Sequence, residues 1–338
     1  MKNFKFKLLI LVFSLTVITS CSNDDTNNGK NPPIINNVSQ ADDPDLQPIT
    51  QGYANNMYVI QGSGFSSTQK IYFNDVDTYF NPTLVTDSSI FVTIDVNTPY
   101  EGGSNKLIVV TKNGSVEYDF IVAPPAPIVQ GFQPVNALEG EEVTIYGNYF
   151  LDPIITFDGN PATIVSSSLT EIVVVMPANS QHKYVEVETI SGTTSWGTAV
   201  GTAIYDDSFY APWTIEPWNN HEYVTDLSAA FQGTTFIKKE IAGYDNIQGN
   251  WEYDDQISEY TGIKFAVRSD TPGKLIFIFN GSNWGNTDFA VETTDEWTEF
   301  KFTWDQLSNP AAVQNISFQE FTGSTINYYF DNITYTID

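Results

Sequence analysis

The chain has one cysteine, one arginine and two histidines in 338 residues. With Cys21 alone, no intrachain disulfide can form. His182 and His221 lie in different segments and have no second cysteine to join, so the ligand spacing of a zinc site is missing. Lys and Arg total 14 against 41 Asp and Glu, a formal net charge of −27. A surface this acidic repels polyanions, which excludes nucleic acid and makes anionic lipid headgroups and uronic-acid polymers poor partners; a neutral polymer meets no such barrier. Neither a Gly-x-Ser-x-Gly elbow nor a P-loop is present. Ala and Leu are scarce, and no convincing amphipathic helix can be traced; the best candidate, Thr225 to Gln232, is short.

What the chain does have is 23 Phe, 18 Tyr and 7 Trp among many Thr, Val, Ile, Asn and Gly, the composition of an all-β protein of several domains. Residues 1–20 read as a secretory signal: Lys2, Lys5 and Lys7 precede an apolar run from Leu8 that is too short to span a bilayer. Cys21 follows at once, and residues 21–32 are a polar, flexible tether.

Two segments then repeat each other. Pro33 to Val38 is answered by Pro127 to Phe132, and Val59-Ile60-Gln61-Gly62-Ser63-Gly64-Phe65 by Val143 to Phe150. Ile71 to Asn74 is answered by Ile154 to Gly159, and Ser89 to Ile94 by Thr170 to Val175. Short strands at this spacing, punctuated by Gly and Pro, predict a small immunoglobulin-like sandwich in each copy, over 33–123 and 124–202. Both copies resemble IPT/TIG domains, which implies a stalk of spacers joined by the stiff Pro124-Pro125-Ala126-Pro127 linker.

Residues 203–338 hold six of the seven tryptophans and the single arginine, Arg268. Ile263, Phe265 and Val267 alternate with Lys264, Ala266 and Arg268; Leu275, Phe277 and Phe279 alternate with a mixed set. This predicts a two-sheet jelly roll with one face packed inside and the mixed face available. Tyr205-Asp206-Asp207-Ser208-Phe209, Tyr260 to Phe265, Glu296 to Phe302 and Tyr329 to Ile333 carry a resemblance to the galactose-binding-like jelly rolls of carbohydrate-binding modules. Aromatic rings on such a scaffold can stack on the apolar faces of sugars. Trp251, Tyr253 and Trp284 sit in polar, Gly-bounded loops, and Trp213 and Trp218 in a segment without strand pattern. These five, with Arg268, Asn280 and Gln319 as hydrogen-bonding groups, are the candidate glycan-binding residues, while Trp297 and Trp304 are expected in the core. Asp206, Asp207 and Asp331 fall at the two chain ends of the jelly roll, where similar modules bind a structural calcium ion.

Taken whole, the chain resembles surface glycan-binding lipoproteins of Bacteroidetes polysaccharide-utilisation loci. The resemblance implies lipid attachment at Cys21, an export tag at Ser22-Asn23-Asp24-Asp25 and an outer-membrane location facing the exterior. It also implies non-catalytic capture of a neutral β-glucan or a hemicellulose such as xyloglucan, delivered to a SusD-like protein and a TonB-dependent transporter. A surface adhesin with a protein partner is the alternative, and a secreted glycoside hydrolase, built on a carboxylate pair such as Glu252 and Asp254, a more distant one.

Overall fold

The computed structural model describes residues 31–215, 217–249 and 255–338, and they form strands joined by turns and short 3-10 segments, with no α-helix among them. Cys21, Trp251, Tyr253, Glu252 and Asp254 lie outside the described residues. The segment read as a possible helix starts as the strand Glu222–Thr225 and continues as a turn in which Asp226 caps Ser228 and its carbonyl accepts from the Ala229 and Ala230 amides. Asp and Ser favour such local bonds over a helix.

Up to Val122 the chain is one compact unit. A three-stranded sheet (Ile34–Gln40, Met57–Ser63, Ser89–Thr93) faces a four-stranded one (Val76–Asp77, Thr68–Phe73, Lys106–Thr111, Gly114–Asp119) across a core that includes Tyr58, Ile60, Phe73, Leu107 and Phe120. The unit from Ala123 onward opens with a sandwich of the same plan. In both copies the first strand bulges, at Ile35/Asn37 and at Val129/Gly131. Both also need a glycine in the second strand. A Cβ on Gly62 would sit 1.8 Å from the Ile34 carbonyl oxygen, and one on Gly147 1.9 Å from that of Ile128. The backbone approach leaves no room for a side chain, which is why the Gly recurs where the sequence repeats.

The jelly roll packs a six-stranded sheet against a four-stranded one. The larger runs Glu222–Thr225, Thr235–Ile241, Ile326–Thr336, Gly262–Ser269, Thr298–Thr303, with Ala203–Tyr205 pairing on Ile326–Thr336. The smaller runs Asn246–Gln248, Ile316–Glu320, Gly273–Phe279, Ala290–Thr293. The predicted alternation holds: Phe265 meets Phe277 at 5.0 Å and Phe318 at 4.8 Å, and Ile263, Val267, Leu275 and Phe279 join them between the sheets.

The mixed face of the larger sheet is not free along its length, contrary to the expectation. Lys264 is 5% exposed, and its ammonium donates to the Gly197 carbonyl at 2.8 Å and to Glu299 at 2.9 Å. Asn332 exchanges hydrogen bonds with Thr198, and Gln232 donates to the Phe132 carbonyl at 2.6 Å while accepting from the Trp196 indole. Asn136 bonds both the amide and the carbonyl of Ala203, at 2.9 and 2.8 Å. The second IPT/TIG-like sandwich is therefore fixed to the jelly roll by satisfied buried polar groups, so it does more than space it. Several hydrogen bonds at about 1 kcal/mol each are lost if the two are cut apart. Urea unfolding of fragments 123–338 and 203–338 is expected to show the shorter one at least about 3 kcal/mol less stable; equal stability would refute the seam.

Candidate functional site

The outer face of the four-stranded sheet is built from residues that alternate with the core. Ile247, Ile316, Phe318, Leu275 and Phe277 point inward, so Asn246 and Gln248, Ser317 and Gln319, Lys274, Ile276 and Ile278 point out. Register aligns them in rows across the strands: Gln248, Ser317 and Ile278 in one, Asn246, Gln319, Ile276 and Ala290 in the next. Reach along the rows is uneven: Ser317, Ile276 and Ile278 are fully buried, the Ser317 hydroxyl donating to the Asn315 side chain at 2.9 Å, while Asn246, Gln248, Gln319 and Lys274 are half-buried. The Asn246 side-chain oxygen is buried and has no hydrogen-bond partner among the described residues.

Rings frame this face. Trp284 is 38% exposed at the tip of a loop that is tied down on both sides. Asn283 accepts from the Phe279 amide and donates to the Phe277 carbonyl, each at 2.8 Å, and Gln319 accepts from the Gly285 amide at 3.0 Å. Gly285 has φ +69°, a conformation that favours glycine. Tyr244, 63% exposed, stands edge-on to Phe321 at 5.9 Å. Its turn is anchored by Glu320, whose carboxylate accepts from the amides of Tyr244 and Gly323 at 3.0 and 2.9 Å and from Thr322. Burial alone would raise the Glu320 pKa, but these donors outweigh it and hold the group below its ordinary value. At the far end of the edge strand Asn246–Gln248, the Asn219 side chain bonds the amide and carbonyl of Gln248 and so continues the sheet, with Trp218, 60% exposed, next to it in the chain. Three residues after Trp218, His221 has a buried ring nitrogen, Nδ1, without a hydrogen-bond partner among the described residues, and burial and then Lys239 lower its pKa.

Of the residues named from sequence, Trp218, Trp284 and Gln319 come to this face. Trp213 does not: it is 5% exposed, its indole donates to Asp255 at 2.7 Å, and it belongs to the core. Asn280 is also spent on structure, at φ 49°, donating to the Ala312 carbonyl and accepting from the Gln314 and Asn315 amides. Arg268 points outward as its alternation implies, but from the other sheet, so it cannot share a ligand with Trp284 across the packed core. Trp297 and Trp304 are partly buried, their indoles donating to the Ala229 and Tyr260 carbonyls. Sequence reading passed over Asn246, Gln248, Ser317, Tyr244 and Phe321; the alternation in Ile316 to Glu320 was the available signal.

The proximity expected of Asp206, Asp207 and Asp331 is present, but the donor set does not fit calcium. Every carboxylate oxygen already accepts a hydrogen bond. Asp206 takes the amides of Val135 and Asp207 and the Tyr210 hydroxyl; Asp207 takes those of Thr234 and Thr235 and the Thr234 hydroxyl; Asp331 takes the amides of Phe231, Gln232 and Asn332. Burial pushes the Asp331 and Asp206 pKa values up. Among the described residues no group of three or more His, Cys, Asp or Glu could hold a metal ion.

Residues 204–338 match the family model "Expansin-like protein C-terminal domain", and residues 127–203 match "IPT/TIG domain". The chain is 27% identical over 156 residues to an IPT/TIG domain-containing protein of Bacteroides ovatus, a match covering 44% of this chain and 31% of that one, so the chain spans less than a third of that relative's length. In overall structure it is similar to the surface glycan-binding protein PbSGBP-B of Prevotella bryantii, at 16% identity, TM-score 0.49, and 90% and 98% coverage of the two chains. It is also similar to SGBP-B from a complex xyloglucan utilization locus in Bacteroides uniformis, at 16% identity, TM-score 0.34, and 90% and 99% coverage. The exposed Trp218 and Trp284 flank the smaller sheet from a 3-10 turn and a loop, while the sandwich that matches the IPT/TIG model is hydrogen-bonded to the larger sheet.

Gln319→Ala removes the acceptor that holds Gly285. The Gly285 amide is expected to exchange with solvent about fivefold faster, for a loss of about 1 kcal/mol, with the fold intact by circular dichroism; unchanged exchange would separate Gln319 from the Trp284 loop. EDTA is expected to leave the thermal midpoint unchanged, and a fall reversed by added calcium would contradict the assignment of the three aspartates.

Proposed function

We propose that this chain is a non-catalytic protein that captures a neutral polysaccharide on the outer face of the four-stranded sheet in its expansin-like domain. The observation that carries the reading is the set of exposed rings, Tyr244 and Trp218 by the two ends of the edge strand Asn246–Gln248 and Trp284 in the loop held by Gln319, around the half-buried Asn246, Gln248 and Gln319. Sugars offer two surfaces at once: apolar ring faces for stacking, and hydroxyls that donate and accept. Amide side chains do both, which suits hydroxyls better than ions. Trp251 and Tyr253, glycan-binding candidates from the sequence, lie outside the described residues.

Two features argue against hydrolysis at this face. Glu292 is ion-paired with Lys274 at 3.0 Å, and Glu320 is saturated by backbone amides. Neither is left free to serve as the acid or nucleophile of glycoside hydrolysis. The acidity of the chain favours an uncharged ligand. In this reading the ligand is a β-glucan or a hemicellulose such as xyloglucan. Lipid on Cys21 holds the protein at the outer face of the outer membrane, and a SusD-like protein and a TonB-dependent transporter receive the glycan.

Isothermal titration of residues 21–338 against neutral and acidic polysaccharides tests the reading. Heat is expected from a neutral β-glucan class, and Trp284→Ala and Trp218→Ala are each expected to weaken binding about tenfold or more, since a well-placed ring contributes about 2 kcal/mol. Silence across the panel from folded protein would overturn it in favour of a protein partner.

A further inference from the structure

Arg268 lies on the outer face of the six-stranded sheet, away from the site above, and its surroundings are unusual for the single arginine of an acidic chain. Its guanidinium carbon lies 4.0 Å from the centre of the Tyr329 ring, 5.2 Å from Trp297 and 5.7 Å from Phe236. Tyr329 is its direct cross-strand neighbour. No carboxylate among the described residues is within ion-pair distance of it, although Asp270 is two positions along the strand. Asp270 is turned instead to the Tyr329 hydroxyl at 2.7 Å and the Asn327 amide at 2.9 Å. Those two bonds, the Tyr329 hydroxyl first, hold the Asp270 pKa below its ordinary value. Arg268 donates no hydrogen bond to a described residue.

A guanidinium held among rings satisfies none of its N–H donors there, and these donors form a rigid fork. Such a fork fits two adjacent oxygens. Arg268 is half-buried, and Lys238, Asn327 and Tyr329 beside it are half-buried too, so this end of the sheet is reachable; the other end, at Lys264, is covered by the IPT/TIG domain. The rings also continue as a row. Tyr329 meets Phe236 at 5.8 Å, Phe236 meets Trp297 at 5.9 Å, Trp297 meets Phe231 at 6.1 Å, and Phe231 meets Trp196 of the IPT/TIG domain at 5.7 Å.

We propose that Arg268, Tyr329 and Trp297 form a second sugar subsite, in which the Arg268 fork takes a vicinal hydroxyl pair and the flanking rings take the sugar's apolar face. The proposal rests on the glycan-binding reading and extends it: the jelly roll then has a sugar contact on each outer face. One protein could engage two glycan strands, or two stretches of one strand, and long polymers would gain avidity that short oligosaccharides lack.

The test is titration of residues 21–338 with cellohexaose and with a xyloglucan oligosaccharide. Wild-type protein is expected to bind two oligosaccharides per chain. Arg268→Met, which keeps an apolar stem against the rings and removes the fork, is expected to bind one; Trp284→Ala is expected to keep the one that Arg268→Met loses. Arg268→Lys, which keeps the charge without the fork, is expected to behave as Arg268→Met. A stoichiometry of one that Trp284→Ala abolishes and Arg268→Met leaves unchanged, with equal thermal midpoints, would overturn the second subsite alone. Absence of binding to wild-type protein would overturn both sites, and so separates the two failures.

Discussion

Everything in the C-terminal half hangs on satisfying one buried carboxylate. Asp331 lies in the middle of Ile326–Thr336, the strand that pairs with three others in the larger sheet, and it is fully buried. An unpaired carboxylate there would cost several kcal/mol. The fold answers with three backbone amides, from Phe231, Gln232 and Asn332. Each donor then commits its own residue. Gln232 is held where its side chain reaches Phe132 and Trp196, and Asn332, at φ 46°, is held where its amide reaches Thr198. A strand irregularity is thereby converted into the seam that joins the two domains, and Lys264, Glu299 and Gly197 close it.

That seam assigns separate tasks to the two sheets. The larger one carries the attachment to the IPT/TIG domain at one end and the Arg268 cluster at the other. The smaller one has its outer face clear of the attachment, and its loops are braced from below by Asn283, Gln319 and Glu320. Bracing matters for binding because a loop already held in place loses little entropy when a ligand arrives. The polar residues nearest the rings therefore act partly through position: Gln319 holds the backbone that presents Trp284.

Periodicity made the inside of the jelly roll legible and left its outside ambiguous. Ile263, Phe265 and Val267 could be assigned to the core from alternation alone, and so could the outward direction of Arg268. Alternation does not say which of two sheets an outward residue decorates, so Arg268, Gln319 and Trp284 looked equivalent until register separated them. Trp213 was misplaced because its segment has no strand period, and its core contact depends on Asp255, forty-two residues on. The nearness of Asp206, Asp207 and Asp331 was legible from the chain ends of the fold, but not the amides that occupy them. Repeated glycines were the clearest signal. Gly62 and Gly147 recur because both sandwiches bring a carbonyl to the place a Cβ would fill.

The central claim is that the outer face of the four-stranded sheet receives the glycan. Amide chemical shifts followed during addition of a neutral gluco-oligosaccharide to residues 21–338 test it most directly. The account predicts that the largest changes fall on Asn246, Gln248, Ser317, Gln319 and Gly285, with the Trp218 and Trp284 indole signals moving in step. Saturable changes confined to the first sandwich, with this sheet unmoved, would contradict it.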